Sequence, residues 1–306
     1  MQRRFIDYLI LSFKGIAMGA ADAVPGVSGG TIAFISGIYE ELISTISNIN
    51  FSLFKTLFKE GIKPFWKAVN GNFIIALGIG IVISFVTFMK LAKYLLENHP
   101  ILIWSFFFGL IIASIYFIGK QITTWNISVI IALIIGIGIA YFISTLPPLN
   151  NSDNDLYLFI AGAIAICAMI LPGISGSFIL IILGAYKSLS DAIHDVDIKK
   201  LIIFFSGALI GLLSFSHLLK WLFKKYHNIT LAILTGFIIG SLKTVWPWKN
   251  TLTWHTNSKG EKTPLTQESI SPFSFNGDHQ IVLAIILISL GFLTIFILER
   301  LGSKKQ

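Results

Sequence analysis

The residues best suited to chemistry in this chain form a short phrase, Pro-Gly-x-Ser-Gly, that occurs twice. Residues 24–30 read Val-Pro-Gly-Val-Ser-Gly-Gly, and residues 171–177 read Leu-Pro-Gly-Ile-Ser-Gly-Ser. Because Pro ends a helix and Gly lets the backbone turn, a second helix is predicted to start at each Ser-Gly pair. A helix start presents unpaired N–H groups and the positive end of the helix dipole, which favour an anion such as a phosphate monoester.

Hydroxyl groups surround both breaks. Ser28, Thr31, Ser175 and Ser177 add hydroxyl donors, and the neighbouring glycines let a ligand approach the backbone closely. The alternative is that these small residues only permit close helix packing, as they do in many membrane proteins. We favour ligand binding, because close packing requires neither a proline nor a repeated phrase.

One carboxylate, Asp22, lies three residues before the first proline, whereas the equivalent residue of the second copy is Met169. A carboxylate at membrane depth is costly, which makes it a functional hypothesis by default. Asp22 could carry a proton for coupled transport. It could equally be a helix cap or form an ion pair with Lys14, and the sequence leaves these alternatives open.

The composition is typical of an integral membrane protein. The 306 residues are 55% hydrophobic and 12% charged, with a mean hydropathy of +0.80, whereas soluble domains carry about 25% charged residues. A single cysteine, Cys167, excludes a disulfide framework, and the scattered histidines offer no metal-ligand spacing, so we expect no cofactor. The net charge is +8, and the lysines and arginines lie in loops between apolar segments. This position indicates lipid headgroups rather than nucleic acid as partners.

Ten apolar segments must position these residues. A membrane-spanning helix needs ~20 mostly apolar residues. The first two segments of each half are short or contain polar residues and meet at the break, so each pair is predicted to form a re-entrant helical hairpin. The other three segments of each half are predicted to be transmembrane helices. The segments are 5–22, 29–47, 72–96, 100–119, 127–146, 156–171, 177–192, 199–222, 228–247 and 280–299.

The predicted fold is an all-α polytopic membrane protein with an inverted-topology repeat, in a single membrane domain over residues 1–306. Repeat 1 covers residues 5–147 and repeat 2 covers residues 156–300, with Gly15 aligned to Gly162 outside the repeated phrase. Three crossings per half is an odd number, so the second repeat enters the membrane inverted. Broken helices at matching points of two such halves indicate a transporter binding site near the membrane midplane.

The distribution of positive charge indicates the orientation. With the N-terminus inside, the linker 48–70 and its four lysines are cytoplasmic, and so is the C-terminus. The connector 147–155, which has no cation, and the loop 249–279 then lie outside. We expect a multi-pass protein of the cytoplasmic membrane with both termini in the cytoplasm. Ten full crossings would place the same loops on the same sides of the membrane. The charge distribution therefore does not distinguish ten crossings from two hairpins and six crossings.

The two segments and the residues around them resemble the signatures of a known family. Residues 15–31, Gly-Ile-Ala-Met-Gly-Ala-Ala-Asp-Ala-Val-Pro-Gly-Val-Ser-Gly-Gly-Thr, followed by Gly-Ile-Tyr-Glu at 37–40, look like the signature of the PopT family of polyprenyl-phosphate transporters. Residues 171–177 are similar to that family's second signature, and the resemblance extends over nearly the whole chain. It implies return of undecaprenyl phosphate, or a similar polyprenyl phosphate, to the cytoplasmic leaflet for cell-wall polymer synthesis. It also implies a distant likeness to DedA-type proteins with re-entrant hairpins.

By the same resemblance, the substrate-binding site is expected at the two breaks and at the carboxylate beside the first. The implied partners are a polyprenyl phosphate lipid and the bilayer, with proton coupling and self-association as further hypotheses. Because Ser177 replaces Gly30 in the second copy, the halves need not contribute equally. The candidate residues are Asp22, Pro25, Gly26, Ser28, Gly29, Gly30, Thr31, Pro172, Gly173, Ser175, Gly176 and Ser177.

Two other functions stay open, namely transport of a small anion or another solute, and intramembrane hydrolysis. Residues 26–29, Gly-Val-Ser-Gly, look like the setting of the nucleophilic serine in rhomboid-type proteases. A serine nucleophile needs a positioned base, however, and His217 is the sole histidine within a predicted span. Arg3, Arg4 and Arg300 are all terminal, which disfavours a lipid phosphatase. We therefore expect a transporter rather than an enzyme.

Overall fold

The structure, a computed structural model, describes residues 3–22, 28–147, 149, 154–256 and 262–303. Within these residues, helices form nearly all of the regular structure. The α-helices are α1 (Phe5–Asp22), α2 (Gly29–Ile35), α3 (Tyr39–Ser47), α4 (Phe51–Glu60), α5 (Ile62–Ala68), α6 (Gly71–Asn98), α7 (Pro100–Gly119), α8 (Ile127–Thr145), α9 (Asp155–Ile170), α10 (Gly176–Ile182), α11 (Tyr186–His194), α12 (Ile198–Lys225), α13 (His227–Gly240) and α14 (Ile281–Ser303).

One short hairpin of strands interrupts the helices. After α13, a 3-10 helix (Ser241–Val245) leads into strand β1 (Lys249–Thr256), which pairs antiparallel with strand β2 (Lys262–Ser269). The indole of Trp246 donates a hydrogen bond to the carbonyl of Ile270 at 2.8 Å, so the base of this hairpin is fixed to the helices.

Several helices are long and apolar enough to cross a membrane. Among the described residues, α7, α8, α12 and α13 with the 3-10 turn that follows it meet this condition by length and composition. Two bent pairs, α5 with the start of α6 and α10 with α11, raise the number to six if each pair counts as one span. The protein is therefore a mostly helical, multi-pass membrane protein, and the ten predicted apolar segments are confirmed as helical.

Two of those segments, 29–47 and 177–192, each fold as two short helices rather than one. Gly37 and Gly184 break them with φ of 72° and 66°, a left-handed conformation that glycine adopts without the strain of a side chain. The bend between α10 and α11 is 110°. In both segments, the glycine that breaks the helix follows the Ser-Gly pair at the same spacing along the chain.

Four helix pairs account for most of the packing, and glycines lie where their axes cross. Helix α1 packs on α6, α9 on α12, α7 on α14 and α8 on α13. A Cβ atom built on Gly80 would lie 2.0 Å from the carbonyl of Ser12, and one on Gly109 would lie 2.0 Å from the carbonyl of Ile288. Glycine thus allows backbone-to-backbone contact at these crossings, as small residues do in membrane proteins.

The first hairpin begins and ends at the same end of the molecule. Arg3, just before α1, pairs with Glu41 in the first turn of α3, with 2.5 Å between Nη2 and Oε2. The amide of Asn70, just before α6, donates to Glu41 at 3.0 Å and to Thr45 at 3.2 Å. The start of α1 and the start of α3 therefore lie close together, beside the start of α6.

The second hairpin does the same at its own end. Asp155 begins α9, and its carboxylate pairs with Lys199 at 2.7 Å. Lys199 lies in the first turn of α12, shortly after the last residue of α11, His194. The start of α9 and the start of α12 therefore lie close together.

Two connecting segments that were predicted from the sequence as a linker and a loop contain regular secondary structure. The linker 48–70 contains α4 and α5, and the Asn50 side chain caps α4 by accepting hydrogen bonds from the backbone of Ser52 and Leu53. The loop 249–279 contains the β-hairpin. Its first strand carries several Thr residues and a Trp, which favour strands.

Candidate functional site

The two Pro-Gly-x-Ser-Gly segments are described to different extents. Pro25 and Gly26 lie outside the described residues, so the first copy is seen from Ser28 onward. The second copy is described throughout. Pro172 is buried and follows the last residue of α9 by two positions, as expected for a residue that cannot continue a helix.

The two segments contact each other directly. The hydroxyl of Ser28 donates a hydrogen bond to the carbonyl of Met169 at 2.9 Å. The backbone N–H of Gly173 donates to Thr31 Oγ1, also at 2.9 Å. Both side chains are almost completely buried, each with 2% of its surface exposed. The sequence predicted that the two breaks share one site, and the structure brings these four residues together across more than 140 residues of chain.

Two glycines at this contact, Gly30 and Gly173, lie so close to neighbouring backbone that a side chain would not fit. A Cβ atom on Gly30 would lie 2.4 Å from the carbonyl of Ile170. Gly173 has φ of +86°, and its Cβ atom would lie 2.8 Å from the carbonyl of Phe237. A side chain at Gly30 would push the two segments apart, whereas one at Gly173 would clash with the backbone of α13.

The start of α2 differs from the open anion site expected from the sequence. The Gly29 N–H donates to Asp22 Oδ1 at 2.6 Å, and the Gly30 N–H donates to Ser28 Oγ at 3.1 Å. The Thr31 N–H donates to the carbonyl of Ser28 at 2.9 Å. All three N–H groups of the first turn are therefore already bonded within the protein, and the Asp22 carboxyl group is one of their acceptors.

Asp22 and Lys14 lie at opposite ends of α2 rather than in an ion pair. The Lys14 ammonium donates to the carbonyl of Ser36, the C-cap residue of α2, at 2.6 Å. A carboxylate at a helix N-terminus and an ammonium at its C-terminus both interact favourably with the helix dipole. Of the structural alternatives for Asp22, the geometry is that of a helix cap.

The start of α10 is different. Its N-cap residue, Ser175, makes no capping bond with its side chain, and the hydroxyl lies 2.8 Å from the hydroxyl of Ser177. Met169 occupies the position equivalent to Asp22, so no carboxylate is supplied there. Gly176 packs closely on α9, because a Cβ atom would lie 2.9 Å from the carbonyl of Ala165.

A small cleft opens beside the second segment. Besides Ser175, three of its side chains carry hydroxyl groups, namely Ser144 on α8 and Ser241 and Thr244 on the 3-10 helix. The Ser144 hydroxyl donates to the Tyr141 carbonyl of α8 at 2.7 Å, and the Ser241 hydroxyl donates to the Ile238 carbonyl of α13 at 2.8 Å. The cleft is lined by Ala140, Ile143, Ser144, Gly173, Ile174, Ser175, Phe178, Ser241 and Thr244.

The arrangement expected of a serine hydrolase is not found in the part of the chain that the structure describes. The hydroxyl of Ser28 is bonded to two backbone groups, and Ser175 is bonded to Ser177. His217 lies on an exposed part of α12, with Nδ1 2.7 Å from the carbonyl of Leu213. Among the described residues, His, Cys, Asp and Glu form no group that could hold a metal ion.

The sequence did not identify two parts of this region. The cleft hydroxyls Ser144, Ser241 and Thr244 come from helix ends far from the repeated phrase, and nothing in their local sequence distinguishes them from ordinary polar residues. The Met169 and Ile170 carbonyls are backbone groups, which no sequence pattern shows. One signal in the sequence was available: Ser144 and Thr244 both lie near the predicted outer ends of membrane spans, which places them on the same side of the membrane.

Comparison with known proteins agrees with this description. The model of the VCA0040-like family, described as undecaprenyl phosphate translocase-like, matches residues 18–263. The chain is 46% identical over 308 residues to a polyprenyl-phosphate transporter of Vibrio cholerae serotype O1, covering 99% of this chain and 100% of the relative. It is 34% identical over 258 residues to a polyprenyl-phosphate transporter of Staphylococcus aureus, covering 76% and 84%. No solved structure matches it. With most of its length matched by the family model and nearly all of it by a curated relative, the chain belongs to the VCA0040-like, undecaprenyl phosphate translocase-like family.

Proposed function

We propose that the protein translocates undecaprenyl phosphate, or a similar polyprenyl phosphate, across the cytoplasmic membrane and so returns this lipid carrier for cell-wall polymer synthesis. Both relatives are named polyprenyl-phosphate transporters, a name that describes transport rather than an enzymatic reaction. The observation that carries the proposal is the meeting of the two repeated segments, through the contacts of Thr31 with Gly173 and of Ser28 with Met169.

The architecture we propose is an inverted-topology repeat, with residues 5–147 as one half and residues 156–300 as the other. Element lengths support it, since α6 and α12 both have 28 residues, α2 and α10 both have 7, and α3 and α11 both have 9. The packing partners also correspond, because α1 packs on α6 as α9 packs on α12. In this architecture, the hairpins are re-entrant and enter from opposite faces.

The orientation we propose places both termini in the cytoplasm, as the positive-inside rule requires. The β-hairpin and the cleft next to Thr244 then face the extracytoplasmic side. This is the side on which a lipid carrier is left after its cargo has been polymerised. In this orientation, the cleft would receive the phosphate headgroup from the outer leaflet, while the isoprenoid chain stays in the bilayer.

Passage of the headgroup would require the two segments to separate. A phosphate oxygen could then accept the hydrogen bond that the Gly173 N–H donates to Thr31, and those of nearby hydroxyls such as Ser175. Each exchange replaces one hydrogen bond with another, stronger one, since hydrogen bonds to an ionised acceptor are roughly twice as strong as neutral ones. The protein therefore needs no covalent chemistry to move the lipid.

Reconstitution into liposomes tests this function. Undecaprenyl phosphate in the outer leaflet is accessible to an added phosphatase that cannot cross the bilayer, so its loss of accessibility reports translocation. We expect the wild type to accelerate that loss and Gly173→Leu to abolish the acceleration. Gly119→Leu is the matched control, because a Cβ atom on Gly119 meets nothing within 4 Å.

Two results would contradict the proposal. Wild-type protein that moves the lipid no faster than empty liposomes would exclude translocation of this substrate. Wild-type transport by the Gly173 variant would remove the second segment from the mechanism. Uptake of added inorganic phosphate into liposomes without phosphatase, together with no movement of the lipid in the first assay, would instead support transport of a small anion.

A further inference from the structure

Lys249, the first residue of β1, has an unusual environment for a lysine at the edge of a membrane protein. Its ammonium group turns inward and donates a hydrogen bond to the Thr244 carbonyl at 2.6 Å. It also lies 3.4 Å from the centroid of the Trp104 ring, a residue of α7 with 6% of its surface exposed. Lysines at membrane edges normally extend their charge toward water, so this orientation requires a reason.

The charge of this lysine is not matched inside the protein. Among the described residues, no carboxylate forms an ion pair with Lys249. Burial lowers the pKa of its ammonium group to about 7. An aromatic face and one carbonyl stabilise a buried ammonium only in part, since a buried charge normally requires an opposite charge. An anion that arrived next to it would supply that missing charge.

The lysine is adjacent to the cleft of the second repeated segment. Thr244, which accepts its hydrogen bond, is also one of the residues that line the cleft, together with Gly173 and Ser175. A lysine ammonium has three donors, and the Thr244 carbonyl uses one of them. The cleft itself offers backbone and hydroxyl groups but no charged side chain.

We propose that Lys249 supplies the positive charge of the headgroup site, and that a phosphate monoester in the cleft beside Ser175 and Thr244 pairs with its ammonium group. This inference rests on the proposed function and adds to it a named cation on the predicted outer side. The same chemistry would suit a lipid phosphate and free inorganic phosphate. The experiment therefore distinguishes these two sources.

Binding measurements on purified protein in nanodiscs test the proposal. Undecaprenyl phosphate is the probe, and undecaprenol, which lacks the phosphate, is the uncharged control ligand. We expect Lys249→Met to weaken binding of undecaprenyl phosphate tenfold or more and to leave undecaprenol binding unchanged. Lys249→Arg keeps the positive charge and should bind within a few-fold of the wild type.

Lys199→Met is the matched control variant. Lys199 is exposed at the same predicted side, where its partner is Asp155, so its loss removes one cation without touching the cleft. We expect its affinity for undecaprenyl phosphate to equal that of the wild type. Equal loss of affinity in the Lys199 and Lys249 variants would overturn the proposal, because a general surface charge would then explain both. Wild-type affinity in Lys249→Met would overturn it as well.

Folding of the methionine variant is not expected to limit the experiment, because Met is a long, unbranched and adaptable side chain that can pack against the Trp104 ring in place of the lysine. A second measurement uses the wild type alone. A polyprenyl phosphate with a photoreactive diazirine in the isoprene unit next to the phosphate should crosslink to the peptide that contains residues 241–249. Crosslinks confined to other regions would contradict the site.

The two proposals fail in different ways. If the wild type neither binds nor moves undecaprenyl phosphate, the proposed function is wrong. Binding of inorganic phosphate that is lost in Lys249→Met would then still assign the cation to Lys249, with free phosphate as the ligand. If the wild type moves the lipid and Lys249→Met moves and binds it equally well, the proposed function stands and the role of Lys249 is wrong.

Discussion

The hydroxyl oxygen of Thr31 accepts a hydrogen bond from the backbone N–H of Gly173 at 2.9 Å, and this bond joins the two halves of the chain at their repeated segments. The threonine comes from the short helix α2, whereas the glycine lies in the turn between α9 and α10. Thr31 is almost completely buried, whereas Gly173 is partly buried and lines the cleft. A ligand in the cleft that accepts the Gly173 N–H would therefore compete with Thr31 for this bond.

Replacement of Thr31 by Val should be destabilising, although Val has nearly the same shape. The change leaves the partly buried Gly173 N–H without its protein acceptor, which costs up to about 1–3 kcal/mol. We expect a lower unfolding temperature in detergent for Thr31→Val. Thr31→Ser retains the hydroxyl and should stay close to the wild type. Equal melting of the Val and Ser variants would show that this bond contributes little to stability.

Glycine at the helix crossings should be far less replaceable than glycine elsewhere on the same helices. In α6, a Cβ atom on Gly80 would lie 2.0 Å from the Ser12 carbonyl, whereas one on Gly78 meets nothing within 4 Å. We expect Gly80→Ala to lower the free energy of unfolding by about 1–3 kcal/mol, the usual cost of overpacking. Gly78→Ala should be neutral or slightly stabilising, since alanine favours helix.

The same comparison can be made on α8. Gly136 lies against the carbonyl of Ile233, at 2.4 Å from its built Cβ atom, and Gly138 meets nothing within 4 Å. Thermal melting of the four alanine variants in one detergent is the measurement. Similar losses of stability in the crossing and non-crossing variants would mean that helix contact does not explain why glycine occupies the crossing sites.

Asp22 has a structural task that can be separated from proton coupling. Asn at this position can still accept the Gly29 N–H, whereas Ala cannot, so Asp22→Ala should cost about 0.5–2 kcal/mol and Asp22→Asn much less. If Asp22 also carries a proton, Asp22→Asn should bind undecaprenyl phosphate normally and lose the response of transport to a pH gradient in liposomes. A wild-type response in the Asn variant would leave Asp22 as a cap alone.

The buried lysine makes stability depend on pH in a defined direction. Burial lowers the pKa of Lys249 from its usual 10.5 to about 7, so between these values the unfolded chain binds a proton that the folded protein does not. Stability therefore rises with pH from about 7 to about 10.5, and each pKa unit corresponds to about 1.4 kcal/mol. Unfolding temperatures of the ligand-free protein should rise between pH 6 and pH 9, relative to those of Lys249→Met. Parallel profiles of the two proteins would contradict this origin.

The sequence was sufficient for the helical segments and for the positions of the two breaks, because apolar length and Pro-Gly pairs are local signals. It could not decide the role of Asp22, which depends on where α2 lies. Geometry does explain why Lys14 is not its partner: eight residues along a helix separate two side chains by ~12 Å. Lysine and aspartate are too short to span that distance, so each binds the end of α2 nearest to it.

Other features depend on the tertiary structure in a way that no local signal records. The contact between Ser28 and Met169 joins residues 141 positions apart, and its acceptor is a backbone carbonyl. Lys249 follows a Trp-Pro-Trp sequence at the end of a span, a setting typical of an interfacial lysine that extends to water. Its inward orientation became evident only from its contacts with Trp104 and Thr244.

The charges that hold α2 have a thermodynamic consequence for the transport cycle. The residues of repeat 2 equivalent to Lys14 and Asp22 are Ala161 and Met169, so α10 has no such charged partners at its two ends. In a transporter whose two halves were identical, the inward-facing and outward-facing conformations would be mirror images with equal populations in a symmetric bilayer. In the inverted-repeat architecture proposed above, the halves differ at α2 and α10, so the two conformations would differ in free energy and one would be the resting state. Only a ligand that binds the other conformation more tightly can shift that balance.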